Sequence, residues 1–112
     1  MPKSDFLEHI LELLCNEDGI TSRSMFGGYG IYKNNNIFAM IINDQLYFKV
    51  DKSNIDYFLK SNLKPFSYGK NGKTVYMSYY EAPSEIYENT GLFSELVKSS
   101  YQVSIKQKNP IK

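Results

Sequence analysis

Between Gly28 and Val50 the chain reads YGIYK, NNN, IFAMII, ND, QLYFKV: three short β-prone segments separated by two turn-forming clusters. Links this short leave no room for a crossover helix, so the three segments must pair antiparallel as a meander. A second hairpin is marked by Asn71-Gly72 within PFSYGKNGKTVYMSYYEAP and closed by Pro83, whose missing N–H ends a ladder. Helical spacing brackets both. Phe6, Leu7, Ile10, Leu11 and Leu14 predict a helix over residues 5–17, capped by Ser4 and stopped at Asp18-Gly19. Asp51 or Ser53 caps a second helix, Ser53 and Asp56 having capping-box spacing, with Ile55, Phe58 and Leu59 on its apolar side and an end before Pro65. Leu92, Phe93, Leu96, Val97, Tyr101 and Ile105 predict a third over residues 90–106, ending in a basic turn. The order α-βββ-α-ββ-α predicts an α+β fold: an antiparallel five-stranded sheet with helices packed mainly on one face.

A chain of 112 residues suits a single domain spanning 1–112, with one core and no need of staples. The single cysteine, Cys15, rules out an internal disulfide and reads as a small buried hydrophobe near the end of the first helix. The N-terminus lacks the apolar run of a signal peptide, and nothing approaches the roughly eighteen apolar residues of a membrane span. A cytoplasmic protein without membrane contact is expected. Net charge is +1, but the signs are segregated: −4 over residues 1–20, +5 over 21–80, −4 over 81–95 and +4 thereafter. So balanced a sum disfavours a dedicated duplex-DNA reader.

IFAMII is apolar on both alternating sets, Ile37, Ala39 and Ile41 on one and Phe38, Met40 and Ile42 on the other. Helices on one side hide one set only. The other, with tyrosines such as Tyr47 or Tyr76, becomes a surface for homodimerisation unless the third helix or a loop wraps it.

RSMFGGYGIYK, from Arg23 to Lys33, has the composition of a phosphate-binding loop but not its spacing: Gly27, Gly28 and Gly30 fit neither G-x-G-x-x-G nor G-x-x-x-x-G-K-[ST], and a strand follows instead of a helix. The paired glycines suit a positive-φ bend or bulge, and Gly30 admits a neighbouring ring or backbone. No catalytic residue is indicated. His9 and Cys15 lie six residues apart and off a common helical face, Glu8 and Glu12 read as a solvated face, and neither a metal nor a cofactor is expected. KSNLKPFSYGKNGK interleaves Lys60, Lys64, Lys70 and Lys73 with Phe66 and Tyr68, the combination by which single-strand binders hold backbone and bases.

RSMFGGYGIY, FAMI, QLYFKVD, PFSY and MSYYEAP, in that order, resemble the N-terminal domain of the TfoX/Sxy family, bacterial regulators of natural competence. The pattern falls on Arg23, Met25, Phe26, Gly27, Gly28, Leu46, Tyr47, Lys49, Pro65, Phe66, Tyr68, Met77, Ser78, Tyr79, Tyr80 and Pro83. The resemblance implies an α+β domain and a non-enzymatic role in regulating DNA-uptake genes, with a protein partner such as the transcription machinery. Longer members add a helical C-terminal domain, which has no counterpart in these residues, and Ser99, Ser100 and Gln102 stand in the last helix where the family tends to alanine. Arg23, Lys49, Tyr79 and Tyr80 are the candidate contact residues, the cations offering donors and the tyrosines low-entropy contact area. Alternatively, Arg23 and Lys49 pair with acids such as Glu81 and hold the sheet together. The rival functions are single-stranded nucleic-acid binding and a small enzyme or ligand-binding protein using the cleft at the glycine bend.

Overall fold

Three tight turns draw on the same conformational freedom of asparagine, aspartate and glycine: Asn34 and Asn35, Asn43 and Asp44, and Asn71 and Gly72 all have positive φ, between 50° and 78°. Two consecutive left-handed residues make the turn whose twist matches paired strands, and each turn closes a hairpin here. The computed structural model describes residues 5–25 and 27–108; the Ser4 cap and Phe26 lie outside the described residues. In chain order the elements are α1 (Asp5–Leu13), β1 (Ile20–Met25), β2 (Gly28–Lys33), β3 (Asn36–Ile42), β4 (Gln45–Lys49), α2 (Ile55–Lys60), β5 (Pro65–Lys70), β6 (Lys73–Glu81), a 3-10 turn at Ser84–Tyr87, and α3 (Thr90–Lys108). No helix among the described residues is long and apolar enough to cross a membrane.

The sheet has six strands, not five, in the order β1-β2-β3-β4-β6-β5, with every neighbouring pair antiparallel. The additional strand is β1, Ile-Thr-Ser-Arg-Ser-Met, which pairs with β2 along its length. Its apolar alternation is too weak to announce a strand, because an edge strand needs only one neighbour and keeps polar residues outward. The glycine pair therefore turns a β1–β2 hairpin: Gly27 takes φ +75°, and Gly28 opens β2.

α1 stops at Leu13, before the expected residue 17, and tight turns carry the chain on to Gly19. Cys15 falls in that segment and is exposed, contrary to its expected burial. The capping box at the second helix does not form either. Asn54 occupies the N-cap without a side-chain cap bond, while the Asp51 carboxylate accepts from the Ser53 backbone N–H and hydroxyl.

One face of the sheet carries the core. Leu7, Ile10 and Leu14 at α1, Phe58 of α2, Ile86 and the α3 residues Phe93, Leu96 and Val97 close over Ile31, Phe38, Ile41, Leu46 and Phe48. A bulge sorts β3: Ile31 pairs with Ala39 and Tyr32 with Ile37, so Phe38 is an extra residue and both Phe38 and Ala39 join the helix-side core. Met40 and Ile42 then go to the opposite face. The serines of α3 have local uses: buried Ser100 donates to the Lys49 carbonyl at 2.9 Å, and Ser104 to that of Tyr101 at 2.6 Å.

Candidate functional site

The helix-free face is organised by pairing across strands, since directly opposed residues point the same way. Arg23 opposes Gly30, Gly30 opposes Met40, Met40 opposes Tyr47, and Lys49 opposes Tyr79. Three of the four candidate contact residues thus come to one face from β1, β4 and β6. Tyr80 does not. Adjacent residues of a strand point to opposite sides, so Tyr80 turns to the helix side and meets Phe58, ring centroids 5.9 Å apart.

Arg23 is exposed and holds its guanidinium over the Tyr32 ring, 5.0 Å from the centroid. Lys49 lies over the Tyr79 ring at 4.8 Å, and its ammonium donates to the Tyr79 hydroxyl at 3.3 Å. These are cation–π contacts, and they replace the ion pairs the sequence also allowed. Among the described residues neither cation meets a carboxylate; Glu81 instead accepts from the Lys64 backbone N–H at 3.2 Å. Burial lowers the pKa of Lys49 and, with the neighbouring phenol of Tyr32, pushes that of Tyr79 up to about 12. Burial and then the charge of Glu81 raise that of Tyr47. Arg23, Tyr32, Tyr79 and Lys49 thus form one row of cations and phenols.

The row borders a small apolar cluster. Met40, Ile42 and Tyr79 are buried there against Tyr47, Phe66 and Met77, and Tyr47 meets Phe66 edge to face at 5.4 Å. Much of the apolar set expected to lie open on this face is therefore covered by the sheet's own side chains. The register between β5 and β6 makes this possible: Pro65 pairs with Tyr80 and Ser67 with Tyr76, setting Met77, Ser78 and Tyr79 against Phe66 alone. Tyr32 joins the site without having been singled out in the sequence. Its signal was its position two residues after Gly30 on the same strand face.

The glycines shape this region by what they lack. A Cβ on Gly28 would lie 1.9 Å from the Ile41 carbonyl oxygen, and one on Gly30 would lie 2.7 Å from the Met25 sulfur and 3.0 Å from Ile37. Pro83 is buried, ends β6 and leads into the 3-10 turn. The cleft at the glycine bend is an open groove of about 450 Å³ lined by Ser24, Met25, Gly27, Gly28 and Tyr29, among which only the serine and tyrosine carry polar side chains.

An antiparallel sheet with helices on one face, and a row of two cations and two tyrosines on the other, defines a small α+β domain. The chain belongs to the TfoX N-terminal domain family, whose profile matches residues 12–104. It is similar to Protein Sxy of Escherichia coli (strain K12), 28% identical over 98 residues that cover 88% of this chain and 47% of that protein. The chain thus spans about half the length of this curated relative.

Proposed function

We propose that this domain is a non-enzymatic regulator of DNA-uptake genes that works by protein–protein contact, using the helix-free face of its sheet. Membership of the TfoX N-terminal domain family supports the regulatory role. The observation that carries the contact mode is the convergence of Arg23, Lys49 and Tyr79 on a face that no helix among the described residues covers. Methionines and aromatic rings beside charged donors are the side chains from which adaptable protein interfaces are made. The test is transcriptional: in a host lacking the gene, the wild-type domain restores transcripts of the DNA-uptake genes and an Arg23→Gln, Lys49→Met double variant at equal protein level does not. Full restoration by that variant overturns the reading.

A second reading, single-stranded nucleic acid, rests on the β5–β6 hairpin, where Phe66 and Tyr68 stack with centroids 6.3 Å apart and Lys64, Lys70 and Lys73 are exposed. Stacking rings flanked by cations are what such ligands use. Affinity for short single strands that falls steeply with salt supports it, and binding partners that survive nuclease treatment favour protein contact.

A further inference from the structure

Three cations show how this fold treats positive charge. Lys33, whose side chain is 17% exposed, meets Glu17 at 3.3 Å, and Lys106, 55% exposed, meets Asp51 at 3.5 Å. Lys49 is half-buried like Lys33, yet among the described residues it has no carboxylate within 4 Å. Its contacts are with the Tyr79 ring and hydroxyl. A half-buried ammonium without a counterion is costly to keep, and that cost is relieved when an anion arrives.

The donors of the row have unused capacity. Tyr79 oxygen accepts from Lys49, which leaves the phenolic proton to be given away, and among the described residues no acceptor takes it. Arg23 holds its guanidinium carbon 5.0 Å from the Tyr32 ring centroid, and among the described residues no acceptor is bonded to its N–H groups, which leaves that planar fork to a planar acceptor. We propose that this row binds carboxylate side chains of an acidic protein segment, with Lys49 and Arg23 as the cationic anchors and the Tyr79 hydroxyl as an added donor. The inference rests on the protein-contact reading above and specifies the partner's chemistry.

The surroundings select a protein over a nucleic acid. Tyr47, Phe66 and Met77, each partly buried over Met40 and Ile42, offer an apolar, deformable floor for side chains between the carboxylates. Glu81, opposite Tyr47 on the same face, repels a continuous phosphate backbone while an acidic segment with spaced charges can step around it.

The test follows backbone amide shifts of the whole chain by NMR on adding a short peptide alternating glutamate with leucine, its glutamine counterpart, or a short oligothymidylate. The expected result is that the glutamate peptide alone shifts Arg23, Lys49 and Tyr79. Its affinity falls about tenfold in Lys49→Met and in Arg23→Gln, a change of about 1.4 kcal/mol, falls less in Tyr79→Phe, and holds in Lys98→Met on exposed α3 surface. Thermal unfolding checks that each variant is folded, and Tyr79→Phe, which keeps the ring, remains informative if Lys49→Met is not. Equal binding of the glutamine peptide overturns carboxylate recognition and leaves the protein-contact reading standing. Shifts with the oligothymidylate alone overturn both, and no shift with any probe overturns this inference while the transcriptional test decides the other.

Discussion

The two faces of the sheet bury side chains in different ways. The helix side buries Phe38, Phe48 and Phe58 to 1% exposure or less beneath separate elements of the chain. The other side buries Met40 and Ile42 with rings that arise from the sheet itself, and among the described residues it leaves two cations without acidic partners. One face is closed by tertiary packing and the other by its own side chains. The lesson is that a sheet face without helices need not be bare.

The largest expected effect tests that difference at two phenylalanines. Phe48→Ala on the helix side should cost about 4 kcal/mol in urea unfolding, because a fully enclosed ring leaves a cavity. Phe66→Ala on the open face should cost about 1.5 kcal/mol, its ring being only partly buried. Equal costs would mean that the faces are alike in packing. Gly28→Ala comes next, at about 3 kcal/mol, since the added carbon meets the Ile41 backbone oxygen and not a side chain that can swing away. A loss below about 1 kcal/mol would show that β2 and β3 can separate freely.

Alkaline unfolding, read through Tyr79, probes the open face. The unfolded chain releases the Tyr79 proton near pH 10, whereas the folded chain holds it to about 12. Between these values the unfolded state is increasingly favoured, and the stability lost is roughly 2 kcal/mol. Tyr79→Phe should flatten that part of the decline, and an unchanged slope would count against a buried phenol. The smallest effect has the opposite sign. Lys49→Met should raise stability by about 1 kcal/mol, as the lysine gives up an uncompensated half-buried charge. A loss of stability there would show that Lys49 serves the fold more than binding.

Much of the fold was legible locally. Asn34-Asn35, Asn43-Asp44 and Asn71-Gly72 fixed three hairpins through their tolerance of positive φ, and the spacing of Leu7, Ile10, Phe93, Leu96 and Val97 fixed the helix faces. The edge strand β1 was not legible, because Thr21, Ser22, Arg23 and Ser24 have no core to face and so no alternation to display. The candidate site was legible in part. Arg23, Lys49 and Tyr79 stood out by type and motif, while Tyr32 did not, and Tyr80 was grouped with a neighbour whose side chain points the other way.

The sequence by itself determined the turns, the helix stripes, the antiparallel hairpins and the family, since each depends on residues close together in the chain or on ordered motifs. Only the tertiary structure decided that β6 inserts between β4 and β5, which brings Tyr79 opposite Lys49 across a separation of 30 residues. It also decided that the bulge at Phe38 divides β3 between two faces. Strand order and register depend on which distant surfaces exclude water together, and no local spacing encodes that choice.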